Sequence, residues 1–332
     1  MIREVVIRSR ATAAGIALGA MIDLVVGDPR RGHPVAVFGG RVAALEKRIY
    51  RDSRASGVAF ATVCVGAAAG IGLAAERLTR SRPAARTAVT AAATWAVLGG
   101  TTLAREGVHL STALEAGDLR AARERLPHLC GRDPSRLDAA EIARATIESI
   151  AENTSDAVVA PLLWGAAFGV PGLLTYRAIN TLDAMVGHRS PRYERFGWAS
   201  ARLDDAANFL PARLTGLLTV ALAGVAARGG TVSGSRRRAA AVLRRDGHRH
   251  PSPNSGRCEA AFAGALGVRL GGVNDYGGRV EHRPELGDGP PPGVADIRRS
   301  VRLARAVSVT AVALAAGTLG VASLLARGRR RR

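Results

Sequence analysis

The sequence predicts an all-α fold, a polytopic integral membrane protein whose catalytic loops face the cytoplasm. Three observations lead there. Hydrophobic residues make up 47% of the 332-residue chain while aromatics make up 4%, and the apolar residues are mostly Ala, Val, Leu and Gly in long blocks. Small residues of this kind let helix backbones approach closely in lipid. The formal net charge is +20 and Lys47 is the sole lysine, so the positive charge is almost wholly arginine. Those arginines flank the apolar blocks, as they do in cytoplasmic membrane loops. Finally, several uncharged runs approach the roughly 20 residues that a spanning helix needs. A nucleic-acid partner, which so basic a chain also invites, is argued against by the lack of aromatic interleaving or a recognisable binding motif.

Taken in order, residues 11–27 form the first candidate membrane segment, broken only by Asp23. The basic start MIREVVIRSR resembles a signal peptide, but the polar GDPRRGHP follows without a cleavage site, so an uncleaved first helix is expected. Residues 57–75 and 87–104 are uncharged and joined by the short basic linker ERLTRSRPAAR, which predicts a helical hairpin. Residues 157–176 are uncharged but carry Pro161, Pro171 and three glycines. Such residues break or kink helices, so this segment is expected to enter the membrane without crossing it. Residues 214–227 are apolar but, at 14 residues, short for a span, whereas 306–326 is the cleanest candidate and ends in RGRRRR. Residues 228–305 read as a polar loop region: SRRRAAAVLRRDGHRH predicts a solvated basic helix and RPELGDGPPPGVAD a linker. With no internal repeat, 1–332 is expected to be one membrane-embedded domain. Cys64, Cys130 and Cys258 lie too far apart for a CxxC zinc site or a disulfide framework.

The polar stretches hold nearly every acid and histidine. On a helix turning about 100° per residue, Glu148, Glu152 and Asp156 form one stripe at the mouth of the 157–176 segment, beside Asn153. Like charges so spaced repel, so a cation is expected to face them: a magnesium ion, an arginine or an amine substrate. A solvated acidic face is the plain alternative. Downstream, Asn180 and Asp183 stand three apart, and Asp204, Asp205 and Asn208 recur at helical spacing. Their oxygens are the ligands of a hard cation that shares phosphate oxygens with its substrate, although Asn180 or Asp204 alone would serve equally as a helix cap. GDPRRGHP (27–34) and HRHPSPNSG (248–256) are proline-rich loops that display His33 beside Asp28, and His250 beside Asn254. A loop histidine is more often a surface residue than a catalyst. These matter chemically if they reach the acids. The glycines of GGVNDYGG fit a turn around Asn274, and no GxxxxGK[ST], GxSxG, HExxH or kinase signature appears. Any nucleotide must therefore be held by arginine and magnesium.

Six stretches in order, DLVVGDPRRGHP, ESIAENTSDAVVAPLLW, RAINTLDAMVGH, RFGWASARLDDAANFLPARL, HPSPNSG and GALGVRLGGVNDYGG, resemble the adenosylcobinamide-phosphate synthase family of cobalamin biosynthesis across residues 15–280. The resemblance implies an integral membrane ligase joining (R)-1-aminopropan-2-ol, or its O-phosphate, to the f propionate of adenosylcobyric acid. It implies ATP and Mg²⁺ as cofactors, because a carboxylate must be activated before an amine displaces oxygen from it, and magnesium stabilises charge on a transferred phosphoryl group. Glu148, Glu152, Asp156 and Asp205 with His250 become the catalytic candidates. Asp183, Asp204 and Asn180 become metal ligands, while Arg202, Asn153, Asn208, Asn254 and His33 complete the substrate and nucleotide contacts.

Two rival readings place acids beside membrane segments. A polyprenyl transferase would use NxxD and DDxxN to hold Mg²⁺ and diphosphate beside a wide apolar tunnel, and a transporter would bind without turnover. Topology is constrained by charge: seven Lys or Arg in residues 28–56 and seven in 105–156 flank a linker, 76–86, with four. The linker is expected outside and the flanking stretches in the cytoplasm. A single catalytic site then requires that 157–176 be re-entrant or buried among other helices, and that 214–227 not cross.

Overall fold

The computed structural model describes residues 2–29, 31–188, 190–226, 232–275 and 280–328. The chain is an all-α polytopic membrane protein, with a small hairpin among the described residues, and its contacts divide it into two compact units.

The first unit comprises Met1–Gly99, Ala160–Asn208 and Ala311–Arg332. Its helices are α1 (Ile2–Val26), α2 (Pro34–Ile49), α3 (Arg54–Leu78) and α4 (Pro83–Val97), followed by α8 (Ala160–Phe168), α9 (Val170–Leu182) and α10 (Trp198–Ala207). Small residues set the packing. A side chain at Gly15 or Gly19 of α1 would come within 2.5 Å of Thr90 or Thr94 of α4, and one at Gly72 of α3 within 2.6 Å of Pro171 of α9. Phe60, Phe196, Val42 and Leu182 close a core between α2, α3 and α9. Glu76, itself nearly buried, pairs with Arg8 and Arg86 at 2.6 Å each, which ties α1, α3 and α4 together.

The 157–176 segment is not one helix. A π-helical turn over Ser155–Val159 leads into α8, only nine residues long, and the chain reverses at Gly169, whose φ of +69° an L side chain rarely adopts. The two short helices α8 and α9 pack against each other. A second π turn, Asp183–Gly187, ends α9.

The second unit comprises Gly100–Val159 and Phe209–Thr310. It holds α5 (Gly100–Glu115), α6 (Leu119–Arg125), α7 (Ala139–Thr154), α11 (Phe209–Leu222), α12 (Val232–Asp246) and α13 (Ser255–Leu266). An antiparallel hairpin, β1 (Leu270–Asp275) with β2 (Val280–Leu286), precedes α14 (Val294–Gly328), whose first half belongs here. Helix α7 starts with a capping box in which Asp138 and Glu141 exchange side-chain-to-backbone hydrogen bonds, satisfying two orphan donors. Residues 228–305, expected from the sequence as a polar loop region, thus carry two helices, the hairpin and the start of α14.

Among the described residues, five helical stretches are long and apolar enough to cross a membrane: Val6–Val26, Arg54–Leu78, Pro83–Glu115, Phe209–Ala226 and Val294–Val321. The fourth departs from expectation. The run 214–227 is short by itself, but FLPAR before it is helical too, which lengthens the apolar helix to 18 residues.

Candidate active site

Four of the sequence-predicted residues meet in the second unit: Glu148, Glu152, His250 and Asn254. Helix α7 places Glu148 inward, with its side chain 4% exposed, so it does not lie on a solvated face. Its cation is an arginine. Arg132, equally buried, pairs with one carboxylate oxygen, and the other accepts the Gly271 N–H at 2.7 Å, with Arg144 at 3.8 Å. Arg144 in turn donates to the carbonyls of Gly271 and Val273 and to Asn274 Oδ1, clamping β1 onto α7. Glu148 is therefore fully engaged by the fold.

Glu152, one turn on, is half-buried and accepts a 2.5 Å hydrogen bond from Ser255 Oγ at the start of α13. Asn153 is spent locally, its amide donating to the Ser149 carbonyl at 2.9 Å. Asp156 sits half-buried on the π turn, which breaks the regular four-residue stripe. Burial first, then the charge of Asp156, pushes the Cys258 thiol of α13 upward in pKa.

His250 and Asn254, both buried, come from the proline-rich turn before α13. His250 Nδ1 accepts the Ser252 N–H at 3.0 Å, while Nε2 lies 3.1 Å from Arg283 Nη1 and 3.8 Å from Glu259 Oε1. Burial, then Arg283, lowers the pKa of the ring, which keeps it neutral. Glu259 of α13 is 2% exposed, and burial among Glu148 and Glu152 pushes its carboxyl well above the ordinary range. Sequence reasoning missed Glu259, Arg132, Arg144, Arg283 and Ser255. The one available signal was an acid, Glu259, alone in the apolar run CEAAFAGAL.

The remaining candidates belong to the first unit. Asp204 of α10 accepts from Asn208 Nδ2 at 2.9 Å and from Asn180 Nδ2 of α9 at 3.4 Å, and the Tyr176 hydroxyl donates to Asn208 Oδ1 at 2.8 Å. Asn180 and Asp204 lie inside their helices, so neither is an N-terminal cap. Asp183 stands on the π turn that packs against α10. Among the described residues no three His, Cys, Asp or Glu side chains group as a metal site. Arg202 and Asp205 are on the outer face of α10, 3.9 Å apart, and partial burial raises the Asp205 carboxyl. His33 caps α2 by accepting the Val35 N–H, and its Nε2 lies 3.4 Å from Asp28. Nearby, an apolar cavity of about 440 Å³ is lined by Phe38 and Arg41 of α2, Val63 and Ile71 of α3, and Leu174 and Arg177 of α9.

A family model described as CobD/Cbib protein matches residues 16–304. A protein of Mycobacterium tuberculosis named "Cobalamin biosynthesis protein CobD" is 55% identical over 304 residues, covering 91% of this chain and 94% of that protein. Proteins of the same name are 44% identical in Geobacter metallireducens (92% and 96% covered) and in Rhodobacter capsulatus (88% and 93%). No solved structure matches.

Proposed function

The chain belongs to the CobD/Cbib family of cobalamin biosynthesis, and from that premise we propose that it joins (R)-1-aminopropan-2-ol, or its O-phosphate, to the f propionate of adenosylcobyric acid by ATP-dependent amide formation. It works as an acid–amine ligase in the cytoplasmic membrane with its chemistry facing the cytoplasm. The observation that carries this reading is the buried acidic cluster on α7 and α13. Glu148 is neutralised by Arg132, yet Glu152 and Glu259 remain beside it, a surplus of carboxyl groups suited to an ammonium substrate.

The residues divide the work. Glu148 fixes α7 against β1, so that Glu152 and Ser255 present a half-buried oxygen to an incoming amine. The amine must lose a proton before it attacks, and the acids and His250 are the groups able to take it. Asp183, Asp204 and Asn180 carry the carboxylate and amide oxygens that would hold a magnesium ion completed by waters and phosphate oxygens. ATP with magnesium would supply the phosphoryl group that makes the propionate a good acyl donor. Arg202, exposed on α10, would contact phosphate through its planar guanidinium.

Membranes containing the protein, incubated with adenosylcobyric acid, either form of the amine, ATP and Mg²⁺, are expected to yield an amide-linked corrinoid by mass spectrometry. An unchanged corrinoid, with transfer from a prenyl diphosphate detected instead, would overturn the ligase reading.

A further inference from the structure

Among the described residues, Glu259 is the acid of the cluster left without a hydrogen-bonded partner. Glu148 has Arg132 and the Gly271 N–H, and Glu152 has the Ser255 hydroxyl. Glu259 is 2% exposed, and its closest partner, His250 Nε2, is 3.8 Å away, beyond hydrogen-bond reach. His250 does not offset its charge: burial, then Arg283, hold the ring neutral, and with Nδ1 accepting the Ser252 N–H its single proton sits on Nε2. A lone buried carboxylate is costly. The groups around it are Glu148 and Glu152 of α7, Arg132 before α7, Arg283 of β2 and His250. Burial and the two glutamates outweigh the arginines, so Glu259 keeps a proton until a cation arrives. Arg283 is partly exposed and Glu152 half-buried, whereas Glu148, Arg132 and Glu259 are buried.

We infer that Glu259 is the catalytic base of amide formation, receiving the ammonium group of the amine substrate and taking one proton from it. This deepens the ligase reading and rests on it. Arrival of the ammonium ion releases the carboxyl proton to water and leaves an ion pair. Transfer of one N–H proton to Glu259 then gives a neutral amine whose lone pair forms the C–N bond to the activated propionate carbon. The C–O bond to phosphate breaks, the phosphate leaves with that electron pair, and it carries off the second nitrogen proton. Glu259 is left protonated, as at the start of the cycle. A carboxyl with raised proton affinity suits this task better than an ordinary one, since proton transfer is most efficient when the base is matched to working pH.

The test compares wild type with Glu259→Gln and Glu259→Asp, measuring kcat and KM for amine and corrinoid across pH. Glu259→Gln is expected to lose about 10²- to 10⁴-fold in kcat/KM for the amine at neutral pH, with the corrinoid KM unchanged. Its activity should recover as pH rises through the amine's own pKa, where the free amine needs no base. Glu259→Asp should retain part of the activity. A Gln variant with the wild-type pH profile would overturn the assignment, as would a uniform loss at every pH with both KM values raised, which marks a structural role. A wild type that forms no amide removes the ligase reading and the base together. Thermal melting confirms folding of both variants.

Discussion

One residue type occupies three environments within two helices. Glu148, Glu152 and Glu259 share a side chain, but their neighbours make them respectively a structural ion pair, a half-buried acceptor and an isolated buried acid. Different outcomes are expected on mutation. Glu148→Gln removes the carboxylate that pairs with the buried Arg132, and breaking a buried ion pair costs on the order of 3–5 kcal/mol, so loss of folded protein in detergent extracts is expected. Glu152→Gln and Asp205→Asn keep the side-chain shape and remove the charge. They are expected to fold normally and lose turnover, and near-normal activity in both would return these acids to a passive role. Glu259 also makes a pH prediction. Its folded pKa lies above its unfolded value, so its contribution to stability is fully present below the ordinary glutamate range and is lost as pH rises toward the folded value. The melting temperature of Glu259→Gln should therefore gain on wild type as pH increases, and a constant difference would count against a protonated Glu259. The stripe of acids was legible because carboxylates stand out against apolar sequence. Their partners were not, because Arg132 and Gly271 lie 16 and 123 positions from Glu148 and contact depends on tertiary folding.

At the scale of elements, the helices were legible from uncharged runs, and the breaks between them less so. Pro161, Pro171 and the glycines marked 157–176 as irregular, but the π turns at Ser155–Val159 and Asp183–Gly187 have no sequence signature and re-aim Asp156 and Asp183 relative to a regular helix. The sequence pointed to a turn around Asn274, but Asn274 lies within β1 and pairs with Glu281 of β2. What holds the hairpin is a clamp: Arg144 of α7 donates to two carbonyls and a side-chain oxygen of β1. Hydrogen bonds to charged groups contribute roughly 1.5–3 kcal/mol, and three share one guanidinium. Arg144→Ala is expected to loosen β1 and β2 selectively, raising amide hydrogen exchange over 270–275 and 280–286 at least tenfold while α5 and α11 keep their protection. Uniform exchange across the second unit would show that the hairpin does not depend on this clamp.

For the whole molecule, the arginine excess and five apolar helices place the chain in a membrane, and the proposed reaction then fixes the side on which each cluster works. ATP and the corrinoid are cytoplasmic in that reading, so the acids of α7 and the Asn180–Asp204 group must each be reachable from the cytoplasm. Basic counts support this for 105–156, which holds seven Lys or Arg against four in the 76–86 linker. The break at Gly169 supports it for α9 and α10, because α8, at nine residues, is too short to carry the chain across. Native Cys258 is 1% exposed and cannot report sidedness. Ser135, exposed before α7, and Ser190, half-buried before α10, are suitable replacements. In a background lacking Cys64, Cys130 and Cys258, Ser135→Cys and Ser190→Cys are both expected to resist an impermeant thiol reagent in intact cells and to react in inside-out vesicles. Reaction from opposite sides would mean that one of the two clusters never meets the cytoplasmic substrates, and the assignment of Asp183 and Asp204 to the same reaction as Glu152 would fall.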